Sequence, residues 1–466
     1  MGPTKPEPPE ANASRTTLIK KRIIESITTR IQKAQYSTTT IPLFYYPPRY
    51  YYLIMVLASI NTLATSLTTC IVGGGNSAHV LIPFLSEAGH HIRLLTRRPN
   101  DWHDVVYCDI TDGETGEITR THAGQLQQKS SNPALVIPGA DIVILCMPVH
   151  QYRPALERLA PHLCRDKQVF VGTMYGQAGF NWMVHAMERQ HGLTNIVTFA
   201  IGNFPWICRT LEYGKHAANF GGKDTNLVAV TPATSFEKLN DILLQDLSVR
   251  PLHMGPFKLA CSFLSLTMSV DNQIIHPARC YALWQKCQGK WQTEKEVPYF
   301  YKHFDEASAE NVRQLDRDYS AICDAIRKRF PERPFIYMLS YLELEHLNHK
   351  HNHEGILTSL RDSKQLASIK TPTVVNPDGT HSLNVNHRFF DDDIQYGCLI
   401  AKWVAAKLNV ETPFIDAIIL WAQKLRGEAF LDESNGKINV EYCLKDKYTS
   451  GIPESYGLTS VEDILD

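Results

Sequence analysis

The stretch that decides the fold reads Cys70-Ile71-Val72-Gly73-Gly74-Gly75-Asn76-Ser77-Ala78. A short apolar strand leads directly into a G-x-G-x-x-A turn, and apolar residues at helical spacing follow. Gly73 allows a tight turn, Gly75 lets backbone N–H groups approach a pyrophosphate, and Ala78 permits close packing of helix on sheet. The unpaired N–H groups of the helix start, at Asn76, attract phosphate. The sequence therefore predicts a dinucleotide-binding site that includes these four residues.

The end of the next predicted strand, at residues 92–96, indicates which dinucleotide is bound. Sites for NAD usually carry an acidic residue about 20 positions past the glycines, where it binds the ribose 2′-hydroxyl. Here the chain reads Thr96-Arg97-Arg98-Pro99 and has no acid. Because guanidinium groups bind phosphate through charge-assisted hydrogen bonds, Arg97 and Arg98 favour a 2′-phosphate. We therefore predict NADP as the preferred cofactor, with NAD as the alternative if both arginines are solvated loop charges.

Composition is that of an ordinary globular protein. The chain has 466 residues, of which 44% are hydrophobic and 20% are charged, and its formal net charge is -1. This length predicts two domains plus an extension. The balanced charge gives no reason to expect a nucleic-acid partner. The 11 cysteines contain no C-x-x-C pair, so neither a disulfide framework nor a zinc ribbon is expected.

Residues 1–66 differ in composition from the rest. They begin with a segment rich in Pro, Ser and Thr, in which basic residues outnumber acids. We predict either a disordered extension or an organellar targeting segment, and hence a cytoplasmic or organellar location. The apolar run at residues 50–57 is much shorter than the ~20 residues that span a bilayer, so no transmembrane helix and no membrane partner are predicted.

Between residues 67 and 254 strand and helix patterns alternate. An apolar run at residues 140–148 is typical of a buried parallel strand and ends at Pro148, which we expect to border the cofactor. Further strands are predicted at residues 168–172, 195–200 and 227–231. The alternation predicts an α/β domain with a Rossmann-type doubly wound sheet. Over residues 255–466 longer helical patterns predict a mostly α-helical C-terminal domain.

Two polar motifs stand out in the helical part. His276 is followed by Pro277, and proline disfavours helical backbone at the residue before it. We therefore expect His276 at a break between helices, pointing into an interdomain cleft as a candidate general acid or base. Residues 387–393 read HRFFDDD. In that motif Arg388 is a candidate for binding a substrate carboxylate, and one aspartate is a candidate for orienting a histidine.

Together these blocks resemble the opine dehydrogenase family, the octopine and nopaline dehydrogenases. The resemblance covers most of residues 68–426 and is carried by five motifs in the family's order. They are Gly73 through His79, Phe204 through Arg209 with Glu212 through Lys215 behind it, Asn272 through Pro277, Asp392 through Gly397, and Thr412 through Asp416. The family implies reductive condensation of an amino acid with a 2-oxo acid, with hydride from NADPH or NADH.

The resemblance also implies roles for single residues. His276 matches the family's catalytic histidine, and Asp393 matches its carboxylate partner, with the preceding aspartate as the alternative. A carboxylate beside the imidazole fixes its tautomer and raises its basicity. Arg388 matches the residue that holds the carboxylate of the oxo acid. Gln177 and Cys208 fall at positions that line the substrate pocket.

Two features depart from the family. Residues 199–203 contain no acid that could pair with a guanidinium, so a smaller or neutral amino acid is expected instead of arginine. There is also an insertion at about residues 347–386, and a polar run near its start could bind a divalent metal ion. That run contains His346, His349, His351, His353 and Glu354. Because such runs are usually solvated loops, no metal is predicted.

Two other functions stay open. The first is reduction of a simple 2-oxo acid, similar to the ketopantoate and glycerol-3-phosphate reducing enzymes, which rely on a lysine at the site. The second is a non-catalytic protein that binds the dinucleotide as a sensor. Small-molecule substrates are the expected partners of the opine-type dehydrogenase and of the simple reductase. An assay with and without an amino acid separates these two enzymes.

Overall fold

The computed structural model describes residues 66–112, 115–349 and 355–465. Apart from its last residue, the predicted extension at residues 1–66 lies outside the described residues, so what was expected of it stays a prediction. Ser66–Asp466 forms one compact unit. None of the helices that the structure describes is long and apolar enough to cross a membrane.

A large sheet forms the first part of this unit. The strands of the described residues are β1 (Thr68–Val72), β2 (His91–Leu95), β3 (Val105–Thr111), β4 (Ile118–Ser130), β5 (Ile142–Leu145), β6 (Val169–Thr173), β7 (Ile196–Ile201), β8 (Trp206–Glu212), β9 (His216–Gly222), β10 (Asn226–Thr231), β11 (Phe257–Leu259), β12 (Lys290–Trp291), β13 (Thr373–Val375) and β14 (His381–Leu383). The large sheet has the order β11-β10-β7-β6-β5-β1-β2-β4-β3-β9-β8. A small separate sheet has the order β12-β14-β13, and its last two strands lie in the predicted insertion.

The centre of the large sheet is parallel and buried on both faces. β1 pairs in parallel with β2 and with β5, and β6 and β7 continue the parallel run. Val72, at the end of β1, lies opposite Leu95 of β2 and Leu145 of β5. The carboxyl ends of these three strands therefore meet at one edge, where open α/β sheets bind ligands. The predicted Rossmann-type fold is confirmed.

Helices cover the sheet and make up most of the C-terminal part, as predicted. In chain order those of the described residues are α1 (Asn76–Glu87), α2 (Pro133–Val136), α3 (Tyr152–Leu159), α4 (Phe180–His191), α5 (Phe236–Leu239), α6 (Arg250–Leu252), α7 (Phe263–Met268), α8 (Asn272–Cys287), α9 (Glu306–Arg329), α10 (Tyr341–Asn348), α11 (Ile356–Arg361), α12 (Arg388–Phe390), α13 (Leu399–Leu408), α14 (Pro413–Arg426) and α15 (Val440–Cys443). π-Helical turns at Asn240–Val249 and Asp391–Cys398 continue α5 and α12.

Strands β3, β4, β8, β9 and β11 to β14 were not predicted from the sequence, and β4 shows why. Its inward-facing positions include His122 and Gly124, so the apolar alternation that signals a strand is absent. A Cβ at Gly124 would lie 2.5 Å from the carbonyl oxygen of Ile82 in α1. β4 therefore lies directly against the backbone of α1, a close approach that only glycine allows.

One apolar cluster joins a face of the sheet to the C-terminal helices. It contains Val72 and Leu145 from the sheet, Ile274 of α8 and Leu399 of α13. A second cluster fills the other face, where α1 packs. Because β1 and α8 share one core, the glycine turn and the residues of α8 hold a fixed relative position. The domain boundary expected near residue 254 stays a prediction.

Candidate active site

A cavity of ≈ 1210 Å³ lies at the carboxyl edge of the parallel strands. Its wall includes the glycine turn after β1 and, from the C-terminal helices, His276 of α8 and Arg388 of α12. The sheet and the helices therefore line one continuous space. A molecule in the cavity can contact both parts of the chain at once.

The glycine turn leaves bare backbone facing this cavity. Gly73 has a φ of +109°, and a Cβ there would lie 2.3 Å from the carbonyl oxygen of Cys146. A Cβ at Gly74 would lie 2.6 Å from the hydroxyl of Tyr213, so this position also excludes a side chain. At Gly75 the nearest atom to an added Cβ is 3.6 Å away, an ordinary contact distance, so the surrounding protein does not itself require glycine at this position. Such a turn suits the close approach of a pyrophosphate.

Side chains that had no predicted role fix the start of α1. The Gly214 N–H donates a hydrogen bond to His79 Nε2 at 2.7 Å, and His79 Nδ1 lies 2.9 Å from the Gly75 carbonyl oxygen. Burial lowers the pKa of His79, so its neutral ring donates from Nδ1. The side-chain oxygen of Asn76 accepts hydrogen bonds from the backbone N–H and the hydroxyl of Thr210, at 3.0 and 2.8 Å. The helix start is thus tied to strand β8.

The two arginines after β2 line the cavity in different ways. The guanidinium carbon of Arg98 lies 3.9 Å from the centre of the Tyr213 ring, and its Nε lies 3.6 Å from Asp101. Arg97 is exposed and makes no side-chain hydrogen bond or ion pair with another described residue. Arg97 is therefore the guanidinium with free donors. Ala78 does not line the cavity, because it is fully buried where α1 packs on the sheet.

The loop after β5 connects the cavity to the C-terminal helices. Pro148 lines the cavity, as predicted for the end of this strand. Two residues later, His150 Nδ1 lies 2.7 Å from Asp392 Oδ1, and the His150 backbone N–H donates to the same oxygen at 3.1 Å. Burial lowers the pKa of His150, but the hydrogen bond and charge of Asp392 outweigh burial and raise it overall. This ion pair joins the sheet to the C-terminal helices.

The structure brings His276 and Asp393 together. His276 Nδ1 lies 2.8 Å from Asp393 Oδ2, and the two residues are 2% and 1% exposed. Both aspartates sit on the π-helical turn after α12, which points Asp392 toward His150 and Asp393 toward His276. Of the two aspartates considered from the sequence, Asp393 is therefore the one that contacts the imidazole.

The prediction that His276 lies at a break between helices is wrong. α8 runs through His276 and Pro277 without interruption. Pro277 has no N–H to donate to the carbonyl of Gln273, four residues earlier, and the Cys398 thiol contacts that carbonyl at 3.6 Å instead. The missing backbone bond is thus partly replaced by Cys398, the last residue of the π-helical turn that precedes α13. His276 reaches the cavity from a helix face.

Two aromatic residues that the sequence analysis missed complete the surroundings of His276. The Tyr301 hydroxyl lies 2.9 Å from His276 Nε2, and the Phe389 ring stacks on the imidazole with 3.7 Å between ring centres. Burial lowers the pKa of His276 well below its usual range, and the guanidinium of Arg388 lowers it further. Burial raises the pKa of Asp393. Both directions favour a neutral imidazole and a protonated carboxyl over an imidazolium–carboxylate pair.

The residues predicted to bind or surround the substrate differ in where the structure places them. Arg388 lines the cavity, is exposed to it, and has no ion pair with another described residue. Its guanidinium carbon lies 5.3 Å from the centre of the Phe389 ring. Cys208 is buried and also lines the cavity, and burial raises the pKa of its thiol to about 12, which keeps it protonated.

Gln177, by contrast, does not line the cavity as expected. It is 1% exposed, and its side-chain oxygen accepts hydrogen bonds from the Tyr175 hydroxyl at 2.9 Å and from the Asp271 N–H at 3.2 Å. Its backbone carbonyl accepts from the side chain of Gln273. The loop after β6 carries Gln177 underneath the start of α8, so this side chain supports the wall from behind.

Charged residues with no role in the sequence analysis line another part of the cavity. Lys223 is only 8% exposed and has no hydrogen bond or ion pair from its ammonium to another described residue. Glu345 of α10 also lines this region, and burial raises its pKa to about 7 against the opposing charge of Lys223. Asp271 lies there too, but its carboxylate already accepts from Asn203 and from the Asn272 N–H. The absence of an acid at residues 199–203 is therefore weak evidence about the amino acid substrate, because acids from other parts of the chain line the same cavity.

The predicted metal candidates divide between described and undescribed positions. His351, His353 and Glu354 lie outside the described residues. His349 lines the cavity, and His346 is exposed on α10. Over residues 66–112, 115–349 and 355–465 no group of three or more His, Cys, Asp or Glu side chains is arranged to hold a metal ion.

A dinucleotide cradle and an imidazole–carboxylate pair on one cavity define a class of protein, the NAD(P)-dependent dehydrogenases with a Rossmann-type sheet and a helical substrate domain. Residues 259–426 match the family model described as NAD/NADP octopine/nopaline dehydrogenase, alpha-helical domain. This match and the relatives below confirm the resemblance to the opine dehydrogenase family noted from the motifs.

The relatives cover nearly the whole described chain. Octopine dehydrogenase of Mizuhopecten yessoensis is 27% identical over 417 residues, which are 86% of this chain and 98% of the relative. Tauropine dehydrogenase of Arabella iricolor is 25% identical over 86% of this chain and 99% of its own length. A solved octopine dehydrogenase with NADH and L-arginine has a TM-score of 0.69 and 22% identity, over 86% of this chain and 98% of that one, and shares the fold.

Proposed function

We propose that this protein catalyses the NAD(P)H-dependent reductive condensation of an amino acid with a 2-oxo acid, which yields a secondary amine. One observation carries the proposal: His276, hydrogen-bonded to Asp393, faces the cavity that the glycine turn also lines. The relatives named octopine and tauropine dehydrogenase support the reaction class. Solved octopine dehydrogenase structures contain NADH with L-arginine and NADH with pyruvate.

The cradle fits a nicotinamide dinucleotide. Backbone without side chains at Gly73, Gly74 and Gly75 leaves room for a pyrophosphate against the start of α1. The bound nicotinamide supplies the hydride for the reduction. Arg97, with its free guanidinium donors, would contact a ribose 2′-phosphate, which supports NADP as the preferred cofactor. Arg98 would shape the same wall through its contact with Tyr213.

Arg388 is our candidate for binding the oxo acid. Its guanidinium borders the cavity near His276 and forms no ion pair with a described carboxylate. A planar guanidinium binds a carboxylate through two parallel hydrogen bonds, which fixes the orientation of the substrate as well as its position. Arg388 would therefore hold the reacting carbonyl near the imidazole.

His276 and Asp393 would move the protons. Condensation of an amine with a carbonyl needs a proton delivered to the carbonyl oxygen, which leaves as water, and a proton removed from the amine. The pair can supply the first proton and take up the second, because Asp393 exchanges a proton with Nδ1 across a 2.8 Å hydrogen bond. Stacking on Phe389 keeps the ring in one plane while its protonation changes.

Lys223 is our candidate for binding the amine substrate. The condensation product of an amino acid and a 2-oxo acid carries two carboxylates, and Arg388 can pair with only one of them. Lys223 is buried on the same cavity, where burial lowers its pKa and the charges of Asp271 and Glu345 oppose that shift, and its ammonium makes no hydrogen bond or ion pair with another described residue. We therefore propose that the amine substrate carries a carboxylate or sulfonate. A small or neutral amino acid stays our prediction.

The test is oxidation of NADPH by the full chain with pyruvate, first alone and then with alanine, taurine, aspartate or arginine. We expect oxidation to depend on the amine, and the His276→Asn variant to lose it. His253→Asn is the matched control, because His253 is exposed, does not line the cavity, and has a left-handed backbone that asparagine tolerates. Oxidation that ignores every amine would disprove the proposal.

Lys223 also favours a second candidate, reduction of a 2-oxo acid without an amine, because that chemistry uses a lysine at the site. The same panel separates the two, since only the second gives full turnover with the oxo acid alone. For either reaction we propose small-molecule partners only, without nucleic acid or membrane, and a cytoplasmic or organellar location.

A further inference from the structure

Both nitrogens of His276 are already engaged. Nδ1 is bonded to Asp393, and Nε2 lies 2.9 Å from the Tyr301 hydroxyl. The imidazole is held between Phe389, stacked at 3.7 Å, and Phe300, in edge contact at 5.7 Å between ring centres. The ring therefore cannot turn a nitrogen toward the substrate without losing its hydrogen bonds and its aromatic contacts. A substrate would reach the imidazole only by displacing Tyr301 or by acting through it.

We propose that Tyr301 is the residue that exchanges the proton with the substrate, as the last member of a relay that runs from Asp393 through His276 to the Tyr301 hydroxyl. This inference rests on the proposed function, because it assigns the proton donor of that reaction. Tyr301 lines the cavity and is 7% exposed, so the residue is packed on most sides and still borders the open space. It is thereby a catalytic residue, and His276 acts through it.

The protons balance along this chain. When the carbinolamine loses water, its C–O bond breaks, and the oxygen takes the Tyr301 proton as it leaves. The nitrogen lone pair forms the C=N bond. The phenol oxygen takes the proton of His276 Nε2, and His276 Nδ1 takes the proton of Asp393. The imidazole is neutral before and after, and the only new charge on the protein is the Asp393 carboxylate, which balances the iminium cation.

The environment favours this route over a charged imidazole. Burial lowers the pKa of His276 and raises the pKa of both Asp393 and Tyr301. A neutral acid, a neutral imidazole and a neutral phenol are therefore the resting forms. A relay that shifts one proton at each link never builds an imidazolium in the apolar surroundings of Phe300 and Phe389, where an isolated charge is costly.

The first test is the Tyr301→Phe variant of the full chain, with Tyr299→Phe as matched control. Tyr299 lies two residues away, is not part of the cavity wall, and packs on His303. We expect Tyr301→Phe to lower kcat for amine-dependent turnover by about 10²-fold or more, the contribution of a general acid, while NADPH still binds and KM for pyruvate stays within about twofold. The control should keep wild-type kcat.

The second test separates a relay from mere support of the ring. Replacing the tyrosine at position 301 by 3,5-difluorotyrosine keeps its shape and makes the phenol more acidic. A relay predicts that the alkaline limb of the pH profile of kcat moves to lower pH. It also predicts that more than one proton contributes to the solvent deuterium isotope effect on kcat. A supporting role predicts neither.

Wild-type kcat in Tyr301→Phe, or an unmoved pH profile in the fluorinated protein, would overturn the relay. In both cases the wild-type protein would still form its amine-dependent product, so the proposed function would stand. If the wild-type protein formed no such product, the proposed function itself would fail, and the relay with it.

Discussion

Replacing Asp393 by asparagine tests the dyad most sharply, because the amide keeps the shape of the carboxyl and removes its proton. Asp393 is 1% exposed, and its Oδ2 lies 2.8 Å from His276 Nδ1. The amide can still hydrogen-bond to Nδ1, by donating from its NH₂ group in place of the carboxyl O–H, but it cannot pass a proton on. General acid–base catalysis raises reaction rates by about 10²- to 10⁴-fold, so kcat should fall by that factor. This loss corresponds to an activation barrier that is about 3 to 5 kcal/mol higher.

The same substitution should change the stability of the fold much less than it changes kcat. Because burial raises the pKa of Asp393, the amide replaces a neutral group and leaves no buried charge unpaired. The free energy of unfolding should therefore change by only about 1 to 2 kcal/mol, the cost of one altered hydrogen bond. Chemical denaturation of wild type and variant measures this change, and NADPH absorbance measures kcat.

Asp391→Asn is the control for this experiment. Asp391 lies on the same turn, is not part of the cavity wall, and pairs with Arg426 at 2.8 Å. This variant should lose some stability and keep its kcat. If Asp393→Asn kept kcat within about threefold of wild type, the assignment of the dyad as the proton-transfer group would be refuted.

The remaining predictions concern the cofactor, the amine and the ion pair next to the cavity. Arg97→Gln should weaken NADPH binding about tenfold or more, and Arg98→Gln should weaken it less, because only Arg97 has free donors; equal NADPH and NADH affinities in wild type and both variants would contradict this. Lys223→Met should raise KM for the amine about tenfold and leave KM for pyruvate unchanged. Because the pKa of Glu345 is about 7, KM for an anionic amine should rise as pH increases through that value, and Glu345→Gln should flatten the profile. The pKa of His150 is raised by folding, so its ion pair stabilises the protein fully below the unfolded value of about 6.5 and is lost as pH rises through the folded value. His150→Gln should therefore cost about 1 to 2 kcal/mol at acidic pH and nothing at alkaline pH, and a constant difference in unfolding free energy would contradict the assignment.

The cofactor cradle was largely predictable from the sequence, because its parts are local. Strand, glycine turn and helix follow one another over residues 68–87, and each of the glycines at 73 and 75 has a backbone reason that can be stated before the structure is known. The stretch also shows the limit of local patterns. β4 was missed, because two of its three buried positions are His122 and Gly124, and because its contacts with α1 and β2 cannot be read from the local sequence.

The helical part could be predicted only in outline. The rule that proline ends a helix at the preceding residue failed at Pro277. There the thiol of Cys398, which ends the π-helical turn before α13, takes the place of the missing backbone donor. Tyr301 and Lys223 carry no motif, since their importance comes from contacts with His276 and with the cavity. Gln177 was predicted to line the pocket, but the loop after β6 places it behind the cavity wall. The path of that loop cannot be read from the order of residues in the chain.

The most direct measurement follows two labels into one product. The full chain is incubated with pyruvate, ¹⁵N-labelled alanine and NADPH that carries deuterium at the transferable position, and the products are analysed by mass spectrometry. Our account predicts a single secondary amine that contains both the nitrogen label and the deuterium. Deuterium in a 2-hydroxy acid, beside unchanged alanine, would contradict it.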